Sequence, residues 1–491
     1  MIGTPYFVQG TSSLTEIPIL YFIKFTLNMG DAGGQLFDSL RQAGWFIKPL
    51  WGYISDKVNL FGFHRKSWYV LMAFLAVVFW TLNALLAFIG IVIPLVYLIT
   101  FNLAFATYAF VDVVCDALMV TQGRQFDRVG SFINFQWGVL AVANAGSVYL
   151  GGWFQGQIKS GLVEPWLIFL LTGLPPLVTA VVGIRNIEEE PSAKTGSRDR
   201  IRLPRINIGQ GVRSLLRYLP SIPWRFQRFR QNNRTIWLLV LFIFFWKFSP
   251  SIGYIERSYL IDVRNFNPSS FGIILAVGGL TFFVSVLAYA WFVRRFPRIK
   301  WHRYLYVMVA LGIVSFPLSF FFYLDPSHPW WDILYFRIPE WLNPLPQWNR
   351  YEWYRLLVQT IFGFATIPAF IIPLTIAGET VDLAYAGVSY AFLMSLSNVT
   401  NLFEGVVGAG LYDLLSRPAL NWLLHTFEET GLNIAGTSDE RTLILQIFVY
   451  ISLFFTVLTI VFIELLRREL KRRGVSINLG GQRAEGRGHG A

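Results

Sequence analysis

The chain has 491 residues, of which 54% are hydrophobic, 17% aromatic and only 14% charged. Soluble chains carry about 25% charged residues, so this balance, with a mean hydropathy of +0.49, excludes a soluble globular protein. The single cysteine, Cys115, excludes a disulfide framework, and the net charge of +12 has to be read from where the basic residues fall.

A helix crossing a bilayer needs about 20 mainly apolar residues. Twelve such segments are expected, at about 5–28, 34–56, 68–90, 94–120, 131–155 and 165–185, then at 235–260, 269–293, 301–324, 352–378, 384–413 and 442–466. Glu16 and Lys24 interrupt the first, which is expected to be kept as a span because no signal-peptide pattern stands there. The expected fold class is an all-α membrane protein with twelve transmembrane helices in two six-helix halves. Its domains would be 1–185 and 235–467, joined by a basic linker at 186–234 and followed by a disordered tail at 468–491.

The joining stretch Asn186–Arg234 holds eleven Lys/Arg against four Asp/Glu. Basic excess returns at Lys57–Lys66, at Arg124 and Arg128, at Arg294–Arg303 and at Arg467–Arg473, whereas Gly90–Pro94 has no Lys or Arg. The positive-inside rule then places both termini and the linker in the cytoplasm. The charge is assigned to topology and anionic lipid contact, with no nucleic-acid partner. Val212–Arg230 alternates apolar and basic residues and is expected to form an interfacial helix.

Between the second and third segments, Gly52-Tyr-Ile-Ser-Asp56-Lys57 is followed by His64-Arg65-Lys66. A Gly permits close helix contact, and an Asp four residues later can pair with loop Arg/Lys or sit against a positive helix N-terminus. Basic anchoring alone would need neither Gly nor Asp. The pattern resembles the loop between helices 2 and 3 of the major facilitator superfamily, G-x-x-x-D-[KR]…[RK]-[RK]. The resemblance implies a cytoplasmic latch made by Gly52, Asp56, Lys57, Arg65 and Lys66.

The likeness narrows elsewhere. Tyr21-Phe-Ile-Lys24-Phe and Gly44-Trp-Phe-Ile-Lys48-Pro49-Leu-Trp-Gly52 are similar to the opening of the folate–biopterin transporter family within that superfamily. So are Val111-Asp112-Val-Val-Cys115-Asp116-Ala117-Leu118 in the fourth segment and Tyr390-Ala-Phe-Leu-Met394-Ser395-Leu-Ser397-Asn398 in the eleventh. The chain departs from that pattern at Ala386, where members often carry a Glu. The resemblance implies transport of folate or a pterin.

The same residues stand out without the family. An ionised group at mid-bilayer costs about 2.5–3.5 kcal/mol on insertion scales, so each needs a partner or a purpose. Asp112 and Asp116, spaced i, i+4, share one helix face; like charges that close require a proton or a cation. Lys24, Arg41 and Lys48 are the expected cations, and Lys247, Glu256 and Arg257 form a second set on segment seven. Fixed pairs that merely hold the bundle are the alternative. Asn398 belongs to a polar side of segment eleven with Ser395, Ser397 and Asn401, and Trp137, Trp246 and Tyr254 could stack on a flat ring. Gly152 and Gly156 suit close helix packing, while Pro250, Pro368 and Pro373 could loosen helices at gating bends.

No P-loop and no Cys/His cluster of metal spacing occurs in the sequence, so no enzyme activity, cofactor or metal is expected. The function expected is secondary active transport of a small organic solute, a folate or pterin, by alternating access with proton coupling. The alternatives are a transporter of another organic anion or amino-acid-like solute, and a non-transporting relative that assembles (bacterio)chlorophyll complexes. The partners expected are the small-molecule substrate, protons and membrane lipids. The protein is expected to be a monomer in the cell membrane (the inner membrane in a Gram-negative cell), multi-pass, with both termini cytoplasmic.

Overall fold

A computed structural model describes residues 3–187, 234–248, 252–331, 348–363 and 386–474, except 59, 64, 126–128, 297, 298, 362 and 473. The expected linker, its interfacial helix, most of the expected tail, and Pro250, Pro368 and Pro373 lie outside the described residues. Among the described residues the chain is helical, with one isolated bridge between Leu60 and Phe63.

Among the described residues, six stretches are long and apolar enough to cross a membrane by length and composition: Lys66–Phe88, Pro94–Met119, Pro165–Asn186, Pro268–Tyr289, Trp301–Phe320 and Glu440–Arg472. Other spans are broken, and the sequence says why. The first comprises α1 (Gly3–Thr11) and α2 (Glu16–Tyr21) around a 3₁₀ turn at Ser12–Thr15. There the hydroxyls of Thr11, Ser12 and Thr15 bond back to the carbonyls of Val8, Gln9 and Ser12, offering the backbone an alternative to the α ladder. The second comprises α3 (Asp31–Leu40) and α4 (Lys48–Lys57), not one helix over 34–56. Pro49 explains the restart, because its fixed φ and missing N–H suit a first turn only.

The chain continues as α5 (Lys66–Phe88), α6 (Pro94–Gln125), α7 (Val129–Lys159), α8 (Pro165–Gly173) and α9 (Pro175–Asn186). After the linker come α10 (Arg234–Lys247), α11 (Gly253–Asp262), α12 (Pro268–Arg295), α13 (Trp301–Phe320) and α14 (350–361). The last helices are α15 (Ala386–Leu415), α16 (Asn421–Glu428) and α17 (Glu440–Arg472). Successive spans alternate in direction, so loop 58–65 marks one face of the membrane, the basic face. Loops 27–30, 89–93, 160–164, 263–267 and 416–439 mark the other, called here the opposite face.

Lipid tails give helices no hydrophobic reason to associate, so packing and interhelical hydrogen bonds must hold the bundle. Fully buried Trp80 on α5 donates to Tyr108 Oη at 2.8 Å and packs among Phe101, Phe105 and Phe169. The first six spans meet the later ones along α7 against α12 and α3 against α15. At the first contact the backbones touch: a Cβ on Gly152 would stand 2.6 Å from Gly272 Cα and 2.7 Å from Pro268 O. Gln35 on α3 accepts at 2.9 Å from the N–H of Tyr254, an otherwise orphaned donor in the first turn of α11.

Candidate functional site

A cavity of about 520 Å³ lies between the two sets of spans, lined from α1, α3, α4, α6, α7, α11 and α15. Its polar side chains form layers along the membrane normal. Nearest the basic face, Lys48 Nζ donates to Asp112 Oδ2 at 2.6 Å, and both side chains are buried, 10% and 7% exposed. Lys48 also stands 4.8 Å from the centre of the Trp45 ring, a cation–π contact strengthened by desolvation. One turn along α6, Asp116 accepts from Tyr6 Oη at 2.7 Å. The two carboxylates are therefore not equivalent: Asp112 has a cation, Asp116 a neutral hydroxyl donor.

The next layer is a ring of four charges. Arg41 donates through Nε to Asp38 at 2.7 Å and through Nη2 to Glu16 at 3.4 Å. Arg257, from α11, donates through Nη1 to Glu16 at 2.7 Å and holds Asp38 at 3.5 Å. Two guanidiniums and two carboxylates thus alternate, and only Arg257 comes from the second half.

A third layer clasps the opposite face. Lys24 donates to Ser258 at 2.8 Å and to Asp262 at 2.7 Å. Arg441 on α17 reaches Asp262 at 2.9 Å and Asp31 at 3.0 Å, and Tyr412 also donates to Asp31, at 3.2 Å. Each pair except Arg441–Asp262 joins the two halves, so these bonds tie the halves together at that face.

The expected site residues divide accordingly. Asp112, Asp116, Lys48, Arg41 and Asn398 all line the cavity, and Asn398 donates to Trp45 O at 3.4 Å. Lys24 and Arg41 are not the counter-ions of the aspartate pair. Lys24 belongs to the clasp and Arg41 to the ring, because their depths in the bundle bring them to other carboxylates first. Gly52 lies beside Val113, which a Cβ there would meet at an ordinary 3.5 Å. Arg65 and Lys66 open α5, with Lys66 Nζ 5.9 Å from the Phe63 ring centre. The side chains of Asp56, Lys57, Lys247, Trp246, Ser395 and Ser397 lie outside the described residues. Trp137 and Asn401 line the cavity, whereas Tyr254 is buried against Gly34. Glu256 pairs with Arg355 at 2.8 Å.

Sequence reasoning missed the acids of the ring and the clasp: Glu16 counted only as an interruption, and Asp31, Asp38 and Asp262 were passed over. The rule that every intramembrane charge needs a partner would have found Glu16 and Asp38.

Comparison with known proteins supports the fold. Solved structures of the same fold include a bacterial homologue of the human lysosomal transporter Spinster in an inward-facing, occupied conformation. It is 16% identical, with a TM-score of 0.57 and 96% of each chain covered. The POT family transporter PepTSo is 12% identical with a TM-score of 0.62, covering 95% of this chain and 98% of that one. Both are transporters of the major facilitator type, and this multi-pass membrane protein has that fold, with twelve transmembrane helices in two six-helix halves.

In sequence, the chain is 29% identical over 298 residues to the folate-biopterin transporter of Synechocystis, covering 60% of this chain and 54% of that protein. It is 23% identical to the probable folate-biopterin transporter 2 of Arabidopsis thaliana, covering 71% and 65%, and 22% identical to folate transporter 1 of Plasmodium falciparum, covering 58% and 51%. The chain thus spans between half and two thirds of the length of these curated relatives. The BT1 family matches residues 9–320, which include α2 to α13 and every charged residue of the aspartate pair and the ring; this chain belongs to the BT1 family.

Proposed function

We propose that this protein is a secondary transporter that moves a pterin-class solute, folate or biopterin, by alternating access coupled to protons. The observation that carries the reading is the unequal aspartate pair in the central cavity. Asp112 is neutralised by Lys48, which leaves Asp116, held by one hydroxyl donor, as the group to gain and lose the coupling proton. A carboxylate so placed also matches the 2-amino and ring N–H edge of a pterin, which it can accept bidentately. The cavity volume falls in the range of about 300–1,000 Å³ usual for small-molecule sites.

The ring and clasp support alternating access, since rocking the halves apart at the opposite face must break ion pairs that now join them. The names of the relatives support the solute class. A charge-lined cavity is of little use to a pigment-assembly protein, which favours transport over that alternative. In this reading the linker and both termini lie in the cytoplasm, Asp56 with Lys57, Arg65 and Lys66 forms the cytoplasmic latch, and the protein works as a monomer in the cell membrane. The reading is tested by uptake of labelled folate and biopterin into proteoliposomes with and without an inward proton gradient. Gradient-stimulated uptake of either solute is expected; uptake of neither rejects the solute class.

A further inference from the structure

The ring of Glu16, Asp38, Arg41 and Arg257 does more than hold two halves together. Its bonds are uneven. Arg41 is almost wholly buried, 2% exposed, and its short bond goes to Asp38, three residues earlier in the chain. Glu16 is the most exposed member at 31% and splits its oxygens, one on Arg257 at 2.7 Å and one on Arg41 at 3.4 Å. Arg257 is 19% exposed, lines the cavity, and has one short ionic contact, to Glu16, beside the long 3.5 Å approach to Asp38. Its Nε is fixed on Gly253 O at 3.0 Å, which aims the two Nη groups away from α11.

We infer that Glu16 occupies an anion site on Arg257 and that a ligand carboxylate takes its place, making Arg257 the residue that reads a carboxylate on the solute. The exchange leaves no charge stranded. Glu16 keeps Arg41 Nη2, Asp38 keeps Arg41 Nε, and the guanidinium fork of Arg257 receives the incoming carboxylate in the bidentate geometry it favours. A buried ion left without a partner would make such an exchange prohibitive; the spare guanidinium donors of Arg41 remove that obstacle. Because Arg257 is the ring's one member from the second half, the exchange also releases that half from Glu16. The inference rests on the transporter reading and narrows its solute class to organic carboxylates, with the flat ring housed toward Asp116 and the carboxylate toward the opposite face.

The test compares two ligands that differ only in the anion, 6-carboxypterin and 6-hydroxymethylpterin, binding to purified full-length protein. Wild type should bind the carboxylate at least about tenfold more tightly. Arg257→Gln should abolish that preference with little change for the alcohol, whereas Glu16→Gln, which weakens the internal competitor, should tighten the carboxylate about three- to tenfold. Opposite effects from two members of one ion pair are not expected of a structural role, which would weaken both ligands in both variants. If Arg257→Gln fails to fold, Glu16→Gln alone decides, and an unchanged or weakened carboxylate affinity overturns the inference. No preference in wild type overturns it as well. If wild type binds neither pterin, the pterin reading fails, and benzoate against benzyl alcohol tests the anion site with the same variants. Discrimination lost in Arg257→Gln would sustain it; no discrimination in wild type would end it.

Discussion

Replacing Gly152 by Ala should release the cavity toward the opposite face. In the structure an added methyl would sit 2.6 Å from Gly272 Cα, 2.7 Å from Pro268 O and 2.8 Å from Gly272 N. The first approach is about 0.8 Å short of the 3.4 Å at which ordinary contact begins. All three atoms are backbone, so no flexible side chain can yield, and α7 and α12 must separate. Overpacking of this kind costs about 1–3 kcal/mol. The cost falls only on the conformer in which these helices touch, so the balance between conformers should move by about 5- to 150-fold. The assay is thiol labelling. The native Cys115 is buried, so a cysteine placed at Ser12, which lines the cavity, reports access with little background. A membrane-impermeant reagent applied at the opposite face should modify Ser12→Cys faster in the Gly152→Ala background. An unchanged rate in a protein of unchanged yield and thermal stability would refute the argument that this crossing holds the face shut.

Other variants test the remaining layers. Lys48→Met keeps the stem but strands Asp112 without its cation, at a cost of about 3–5 kcal/mol. Its melting temperature should fall sharply and recover in the Lys48→Met/Asp112→Asn double variant, and no recovery would mean that the two groups are not a pair. Asp56→Asn should weaken the proposed latch by about 0.3–2 kcal/mol and increase labelling of the Ser12→Cys reporter from the basic face; unchanged labelling and transport would reduce the motif to a membrane anchor. Asp262→Asn removes the acceptor shared by Lys24 and Arg441 and should raise labelling from the opposite face, with no change if the clasp merely decorates the loops.

The spans were legible because apolar runs of sufficient length have few other uses, and α5, α12 and α13 begin and end close to where the sequence placed them. The breaks in the first two spans were not, since hydroxyl back-bonding and a proline restart leave the apolar pattern intact. The need of Asp112 for a cation was legible, but its choice among Lys24, Arg41 and Lys48 was not. Depth decides it. Lys48 lies 17 residues from the start of α3 and Asp112 18 from the start of α6, two spans that run in the same direction, so they reach one level. Lys24 stands at the opposite-face end of the first span and meets Asp262 instead. Pairs across the halves, such as Arg257 with Glu16, join residues 241 positions apart, and no local pattern in a single sequence records such a meeting.

Proton coupling through Asp116 is the centre of the account, and accumulation against exchange measures it most directly. An amide at this position keeps the shape and can still accept from Tyr6, but it cannot titrate. In proteoliposomes with an inward proton gradient, wild type should concentrate labelled folate or biopterin above the outside level. Asp116→Asn should lose that accumulation while still exchanging internal for external solute. Accumulation by Asp116→Asn equal to wild type across pH 5–8 would contradict the account.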